Sequence, residues 1–554
     1  MRGPRSRLLL ELDLSRGLLE APPSSPVEAI RARHTPTLRA VVDGLRKAAD
    51  DARVVGLVCH VGARQPSLAQ SGELRAAVQE LRAAGKTTVC WAESFGELGP
   101  GNVGYHLASA FENVWLQPSG EVGLVGVTAQ AVFLRETLDK LGDDTQLGQR
   151  EEYKTAANMF RETAMTEAER EMTTALVESA MHTIVSDVAA GRGLDEARVR
   201  AAVDLAPLSA TEAVEHGLVD RVGYRDELYA ELKRRLGTTE LKYVERYRGR
   251  QAARERVRPS SVRRRRPVVA LVQASGPIHL GRSRTPSPLG GRSVGSDTIG
   301  AALRAAAEDD AVRAVVLRVD SPGGSYVASD AIRREVHALR RTGKPVIASM
   351  ATVAASGGYY IAMPAARIVA GAGTLTGSIG VLAGKQVIRD GLARLGVRRE
   401  SVSSGRYAEM FSTQRPFDDD EWRRLEQWLD RVYDDFTAKA AQDRGMELAE
   451  LRAVAKGRVW TGADARRLGL VDEIGGLAQA IDLACRTARV ERSDAQVRAY
   501  PRLHPLERLM PPENSDSPAA ASLGEGFPLL ERLTEALGLP NTGVLTMPVQ
   551  WRLL

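Results

Sequence analysis

At 554 residues the chain is several times the size of one ordinary hydrophobic core, so it must fold as more than one unit. Its apolar fraction of 43% excludes a disordered or fibrous chain, and its net charge of +6 includes one dense basic run, Arg263 to Arg266, which reads as a solvated linker rather than a nucleic-acid surface. The three cysteines, Cys59, Cys90 and Cys485, lack metal-ligand spacing; Cys59 and Cys90 lie in apolar strand-like runs and read as buried thiols, not a disulfide framework.

The first segment, Met1 to Leu14, carries Arg2, Arg5 and Arg7 before only three consecutive leucines, too short for a signal-peptide core or a membrane span. No anchor is therefore expected, which leaves a cytoplasmic or a peripheral membrane location. A helical pattern closes at Gly85-Lys86 and is followed by the β-rich run Thr87 to Trp91. In the second half Pro267 to Ala274 predicts a buried strand, and Gly281 to Gly295, rich in Pro, Gly, Ser and Arg, predicts a loop. A helix is expected over Ser296 to Asp309, a strand over Val312 to Val319, a turn over Asp320 to Ser325 and an amphipathic helix over Ala328 to Thr342. Strand, helix and strand recur through Val346, Ser356 to Pro364 and Ile368. The 22 uncharged residues from Pro345 to Ala366 are interrupted by Ser349, Thr352, Ser356 and Gly357-Gly358, so they read as a buried strand-turn-helix rather than a span. Beyond about Pro501 the chain is expected to be low in order, except for an amphipathic stretch at Pro528 to Leu537.

The two halves are worn copies of one unit. Tyr105, Leu107, Ala108, Gly123, Gly126 and Val127 align with Tyr359, Ile361, Ala362, Gly377, Gly380 and Val381 at a constant offset of 254 positions. Gly85-Lys86 matches Gly343-Lys344, and Ala213 to Gly223 matches Ala465 to Gly475 at an offset of 252. Alternating strands and helices in each half predict an α/β fold with crossover connections. In the main register Ser356 faces Asn102, and Lys154 faces Ala408. Each half has thus kept a chemical group that the other lacks.

Ser356 lies in Ala355-Ser356-Gly357-Gly358, at a strand-to-helix junction where free backbone N–H groups favour negative charge. The glycines of Asp320-Ser321-Pro322-Gly323-Gly324 permit close approach of a second N–H, so Gly324 and Gly357 are the expected oxyanion donors. A serine hydroxyl needs a base. His60 and His106 lie in apolar runs and read as core or rim histidines, and His279 is a rival base. A buried lysine can serve once desolvation brings its pKa toward 7 to 8.

The turn Asp320 to Ser325, the block Ala354 to Tyr360, the stretch Gly371 to Val381 and Tyr153-Lys154-Thr155-Ala156 together resemble the long, duplicated form of the signal peptide peptidase A family. These are Ser/Lys proteases with the fold of the caseinolytic-protease/crotonase superfamily. The resemblance runs from about Ala52 to Arg489. It implies two tandem domains of that fold: 1–242, supplying the lysine; a basic linker, 243–266; 267–500, carrying the serine; and a tail, 501–554. It implies Ser356 as nucleophile, Lys154 as general base and Ser378 as the residue orienting the amine, whose first-half counterpart is Leu124. Peptide substrates such as signal-peptide remnants, a homotetrameric ring, possible peripheral membrane contact, and no metal, cofactor or nucleic acid follow from it. Three departures stand out. Glu151 and Glu152 precede Tyr153-Lys154 and would favour the ammonium form unless they point to solvent; the family's N-terminal anchor is lacking; and Gly62 to Ser67 (GARQPS) replaces the glycine turn in the first half. The alternatives are a catalytically inactive scaffold of the same fold and a crotonase-type acyl-CoA enzyme, which would need acid/base carboxylates and no nucleophile.

Overall fold

A computed structural model describes residues 7–23, 26–237, 239–247, 266–284, 291–501 and 545–546. In the first half the strands are β1 (Leu8–Asp13), β2 (Val54–His60), β3 (Thr87–Ala92), β4 (Asn113–Leu116), β5 (Glu121–Val122), β6 (Asp144–Arg150), β7 (Leu208–Ser209), β8 (Arg221–Val222) and β9 (Glu240–Tyr243). The second half contributes β10 (Val268–Ser275), β11 (Ile278–His279), β12 (Val294–Gly295), β13 (Val312–Ser321), β14 (Gly323–Gly324), β15 (Val346–Ala355), β16 (Arg367–Ala370), β17 (Leu375–Gly377), β18 (Val381–Val387), β19 (Val459–Thr461), β20 (Glu473–Ile474), β21 (Gln496–Tyr500) and β22 (Leu545–Thr546).

The architecture is mixed α/β, and the duplication is visible in its topology. The first sheet runs β9-β1-β2-β3-β4-β8, and the second contains the path β21-β10-β13-β15-β16-β20, every neighbouring pair along these two paths being parallel; the second sheet is extended by β17, parallel to β15, and by β19, antiparallel to β17. Parallel strands covered on both faces must be apolar throughout, which is why VVALVQAS in β10 is a nearly unbroken buried run. Side-chain contacts repeat as well. The Tyr105 hydroxyl donates to Leu218 O and that of Tyr359 to Leu470 O, while Asp220 accepts from Val114 N as Asp472 does from Ile368 N. The first core runs on past residue 242, since Val244 and Tyr247 are buried in it.

Three expectations from the sequence need adjusting. Asp320 and Ser321 end β13, and the glycines beyond them form β14 rather than a turn. A Cβ on Gly324 would lie 2.1 Å from Ile278 O, so only glycine lets this strand run beside β11 at φ +149. The expected loop at 281–295 ends in β12, which pairs with β11. The tail contributes β22, while the stretch Pro528 to Leu537 and most of the linker lie outside the described residues.

The segment Pro345 to Ala366 folds as β15 followed by a helix over Gly357–Ala362. Among the described residues no helix is long and apolar enough to cross a membrane. All three cysteines are free and buried.

Three of the contacts that join the halves among the described residues bear on the site. Strand β6 pairs antiparallel with β18 from Asp144↔Val387 to Arg150↔Val381. Met172 and Leu176, from the helix Glu167–Arg192, pack with Ala355, Leu375 and Val459. The third centres on Arg318 on β13, which is fully buried. Its guanidinium donates to Glu20 at 2.7 Å, to Glu73 at 2.6 Å and to Ser349 Oγ at 2.9 Å, and Glu73 also accepts from Leu477 N. Burial opposes this charge, but the two carboxylates from the other half hold the guanidinium above its ordinary pKa. Breaking a buried ion network from one side strands the remaining charges. Arg318→Ala is therefore expected to destabilise the chain by about 3 to 5 kcal/mol, read as a fall in the urea unfolding midpoint; an unchanged midpoint would remove Arg318 from the seam.

Candidate active site

Ser356 sits where β15 gives way to the helix Gly357–Ala362, at φ +55 and ψ −114. A non-glycine residue held there costs about 1 to 3 kcal/mol and persists only because its surroundings enforce it. Its own N–H donates to Gly377 O at 2.8 Å, and its carbonyl accepts from Tyr360 N. The side chain does not cap the helix. Its hydroxyl is free for another partner.

That partner is Lys154, which follows β6 and opens the short helical turn Thr155–Ala157. Lys154 Nζ lies 2.8 Å from Ser356 Oγ, 3.0 Å from Ser378 Oγ and 3.2 Å from Ser378 O. All three side chains are buried. Desolvation lowers the Lys154 pKa to about 7, with no opposing carboxylate nearby to hold the charge. Displacing the ordinary value of 10.5 to about 7 corresponds to roughly 4 to 5 kcal/mol against the ammonium form. A neutral amine has two N–H donors and one lone pair. With the donors directed at Ser378 O and Oγ, the lone pair can accept the Ser356 hydroxyl proton. Ser378 is itself held at φ +51, with its N–H donating to Arg458 O at 2.7 Å.

Glu151 and Glu152 do not reach the amine. Glu152 is exposed and pairs with Lys456 at 3.2 Å, and Glu151 borders an outward-facing cavity of about 360 Å³ with Arg150, Arg452 and Lys456. Both carboxylates lie on the wet side of the loop, leaving Lys154 on the dry side.

Gly324 and Gly357 are brought together. A Cβ on Gly357 would meet Gly324 N at 3.1 Å and Ser329 Oγ at 2.8 Å, so this approach also requires glycine. The histidines lie elsewhere. His279 is bonded to Leu280 O and Ser293 Oγ, away from Ser356. His60 lies between Asp13 and Glu93 at the rim. His106 bonds Ser71 Oγ at 2.7 Å and Asp187 at 2.8 Å, but this Ser-His-Asp chain is closed to substrate, because Ser71 and His106 are fully buried under Arg75. Burial pushes the His106 pKa down to about 4. Among the described residues no group of three or more His, Cys, Asp or Glu could hold a metal ion.

The family model for peptidase family S49 matches residues 80–239 and 338–491, one segment in each half. The chain belongs to peptidase family S49. It is 32% identical over 447 residues to the chloroplastic serine protease SPPA of Arabidopsis thaliana, covering 80% of this chain and 64% of that protein. To Protease 4 of Salmonella typhi it is 31% identical over 469 residues, 82% of this chain and 72% of the relative. A putative signal peptide peptidase SppA of Enterococcus faecium is 33% identical over 198 residues, 36% of this chain and 57% of that one. Lys154 falls in the first S49 segment, and Ser356 and Ser378 fall in the second.

The first half lacks the equivalent cleft. Gln65, where the second half has Gly323, accepts from Gly104 N and donates to Pro100 O. Asn102, opposite Ser356 in the alignment, is stitched to Gly126 through both its amide oxygen and nitrogen. Leu124, opposite Ser378, is fully buried. Side chains fill and bond across the space that the second half leaves open.

Sequence reasoning missed Gly457. At φ +75 it lies against the Lys154 backbone, where a Cβ would fall 2.6 Å from Lys154 N, and its own N–H donates to Ile379 O. Its sole signal was a glycine before Arg458, which nothing in the alignment of the halves distinguishes from an ordinary turn. Gly457→Ala should push Lys154 out of its dry pocket and raise its titration midpoint from about 7 toward the usual lysine range. Nitrogen-15 NMR of the lysine side chains checks this; an unmoved midpoint removes the role assigned to Gly457.

Proposed function

We propose that this S49 peptidase is a serine endopeptidase working through a Ser/Lys dyad assembled across its two halves. The observation that carries the reading is the 2.8 Å contact between a fully buried Lys154 amine and the Ser356 hydroxyl. Lys154, as the neutral amine, takes the proton from Ser356 as the hydroxyl oxygen attacks a peptide carbonyl. The negative oxygen of the tetrahedral intermediate is held by the N–H groups of Gly324 and Gly357. The Lys154 ammonium then protonates the leaving amine as the C–N bond breaks; the regenerated amine takes a proton from water as that water attacks the acyl-enzyme, and returns it to Ser356 Oγ as the Oγ–acyl bond breaks and the acid leaves. Ser378 keeps the lone pair of Lys154 aimed at Ser356.

Substrates are proposed to be extended, apolar peptides, including signal-peptide remnants, held as an added strand against β14. Similarity to the putative signal peptide peptidase SppA of Enterococcus faecium supports that class. A homotetrameric ring, peripheral contact with a membrane and the four-part division 1–242, 243–266, 267–500 and 501–554 belong to the same proposal. The desolvated Lys154-Ser356 contact argues against both alternatives. A crotonase-type enzyme has no use for the nucleophile, and an inactive scaffold has no reason to keep an amine dry at such cost.

The sign of the pH dependence follows from the amine. Below about 7 Lys154 is protonated and cannot accept, so labelling of Ser356 by a fluorophosphonate should rise about tenfold per pH unit up to about 7 and level off above it. Ser356→Ala and Lys154→Ala should each abolish labelling and remove every cleavage product found by mass mapping of an apolar peptide panel. Full peptidase activity in Ser356→Ala would refute the mechanism.

A further inference from the structure

The tail strand β22 pairs antiparallel with β14, Gly323 opposite Thr546 and Gly324 opposite Leu545. It also approaches β18, which begins three residues after Ser378. On its other side β14 is paired with β11, so β22 takes the remaining edge of the glycine strand. This edge leads directly to Gly357 and Ser356, since Gly324 N lies against Gly357. An exposed strand edge is a template for any extended chain, and here it is filled by a segment of the same polypeptide.

The segment suits the place chemically. From Ala536 to Trp551 the sequence has no charged residue, and Gly543 to Met547 (GVLTM) combines small, β-branched and aliphatic side chains. That is the class of extended apolar peptide proposed as substrate. Residues 502–544 connect it to β21, and a chain of that length has ample reach at about 3.3 to 3.6 Å per residue. Tethering places the segment at an effective concentration on the order of 1 mM, so even a strand of modest intrinsic affinity competes with free peptide.

We propose that the segment centred on Leu545-Thr546 is an intramolecular inhibitory strand that occupies the substrate edge of β14 and must leave before a peptide can be cut. The proposal rests on the peptidase reading of Ser356 and Lys154. It adds a form of regulation in which the chain limits its own activity and a substrate gains access by displacing the tail.

The test uses the full-length protein and a Leu545→Pro/Thr546→Pro double variant, because proline removes the backbone N–H that pairing needs. For a fluorogenic apolar peptide, KM should fall about three- to tenfold in the variant with kcat unchanged, the range expected when a millimolar tethered competitor is removed. A synthetic peptide of residues 541–550 should inhibit the variant competitively. Equal KM in the two proteins together with no inhibition by the peptide overturns the proposal. So does loss of the tail from the wild-type chain during the assay, seen by intact mass, since the segment would then be a substrate. Hydrogen exchange at Gly324, opposite Leu545, reads the contact without catalysis, since the N–H groups of Gly323 and Ser325 already donate to Ser321 Oγ and Ile278 O. Faster exchange in the variant is expected, and equal exchange overturns the inhibitory strand even if Ser356 proves unreactive. Absence of fluorophosphonate labelling in both proteins would instead strike at the peptidase reading.

Discussion

Keeping one amine out of water is the constraint to which the rest of this structure answers. Lys154 is supplied by the first half and Ser356 by the second, so the pocket exists only while the seam between them is closed. The seam carries another buried basic side chain, and the comparison is instructive. Arg318 cannot lose its proton, and the fold surrounds it with Glu20 and Glu73. Lys154 meets only two hydroxyls and a carbonyl, and burial takes it to about 7. The same interface thus stabilises charge where it needs a clamp and refuses it where a lone pair is wanted.

That division of labour explains why the two copies have diverged as they have. On the proposed mechanism the seam offers one dry amine to one serine, so a second cleft in the first half would have no base. Gln65, Asn102 and Leu124 occupy it with hydrogen bonds and apolar contact, converting a site into packing. Meanwhile the parts that build the sheet are retained in both halves, down to the tyrosine hydroxyl on a leucine carbonyl and the aspartate that receives the N–H of Ile368 in β16 or of Val114 in β4.

Much of this was legible in the sequence, for a physical reason. Duplication provides an internal comparison: Tyr105 with Tyr359 and Gly126 with Gly380 fix the register, and the alternation of buried runs and amphipathic helices gives the α/β fold with its crossover connections. Lys154 was legible only through the motif resemblance, because an isolated lysine looks like a surface residue until the partner half is placed over it. Gly457 and the Glu20-Arg318-Glu73 network were not legible, since contacts between residues hundreds of positions apart leave no local periodicity. The orientation of Glu151 and Glu152 was also hidden: which side of a loop faces water depends on the positive φ of Glu151 and on Lys456 waiting outside.

The glycine strand β14 shows how one requirement creates another. Its backbone angles, φ +112 at Gly323 and +149 at Gly324, let it pass Ile278 and bring an N–H beside Gly357. A strand without side chains has no means of discouraging a neighbour, since the charges, prolines and bulk that usually blunt an edge are all excluded by the approach it must make. Its edge is therefore open to any extended apolar chain, and specificity has to come from what else is near enough to compete. The nearest such chain is the protein's own tail, which the tether keeps at high local concentration whatever the supply of substrate. An accessible glycine edge and an uncharged segment on the same polypeptide are thus physically coupled: the backbone freedom proposed to serve an oxyanion also makes the site one that its own chain can enter.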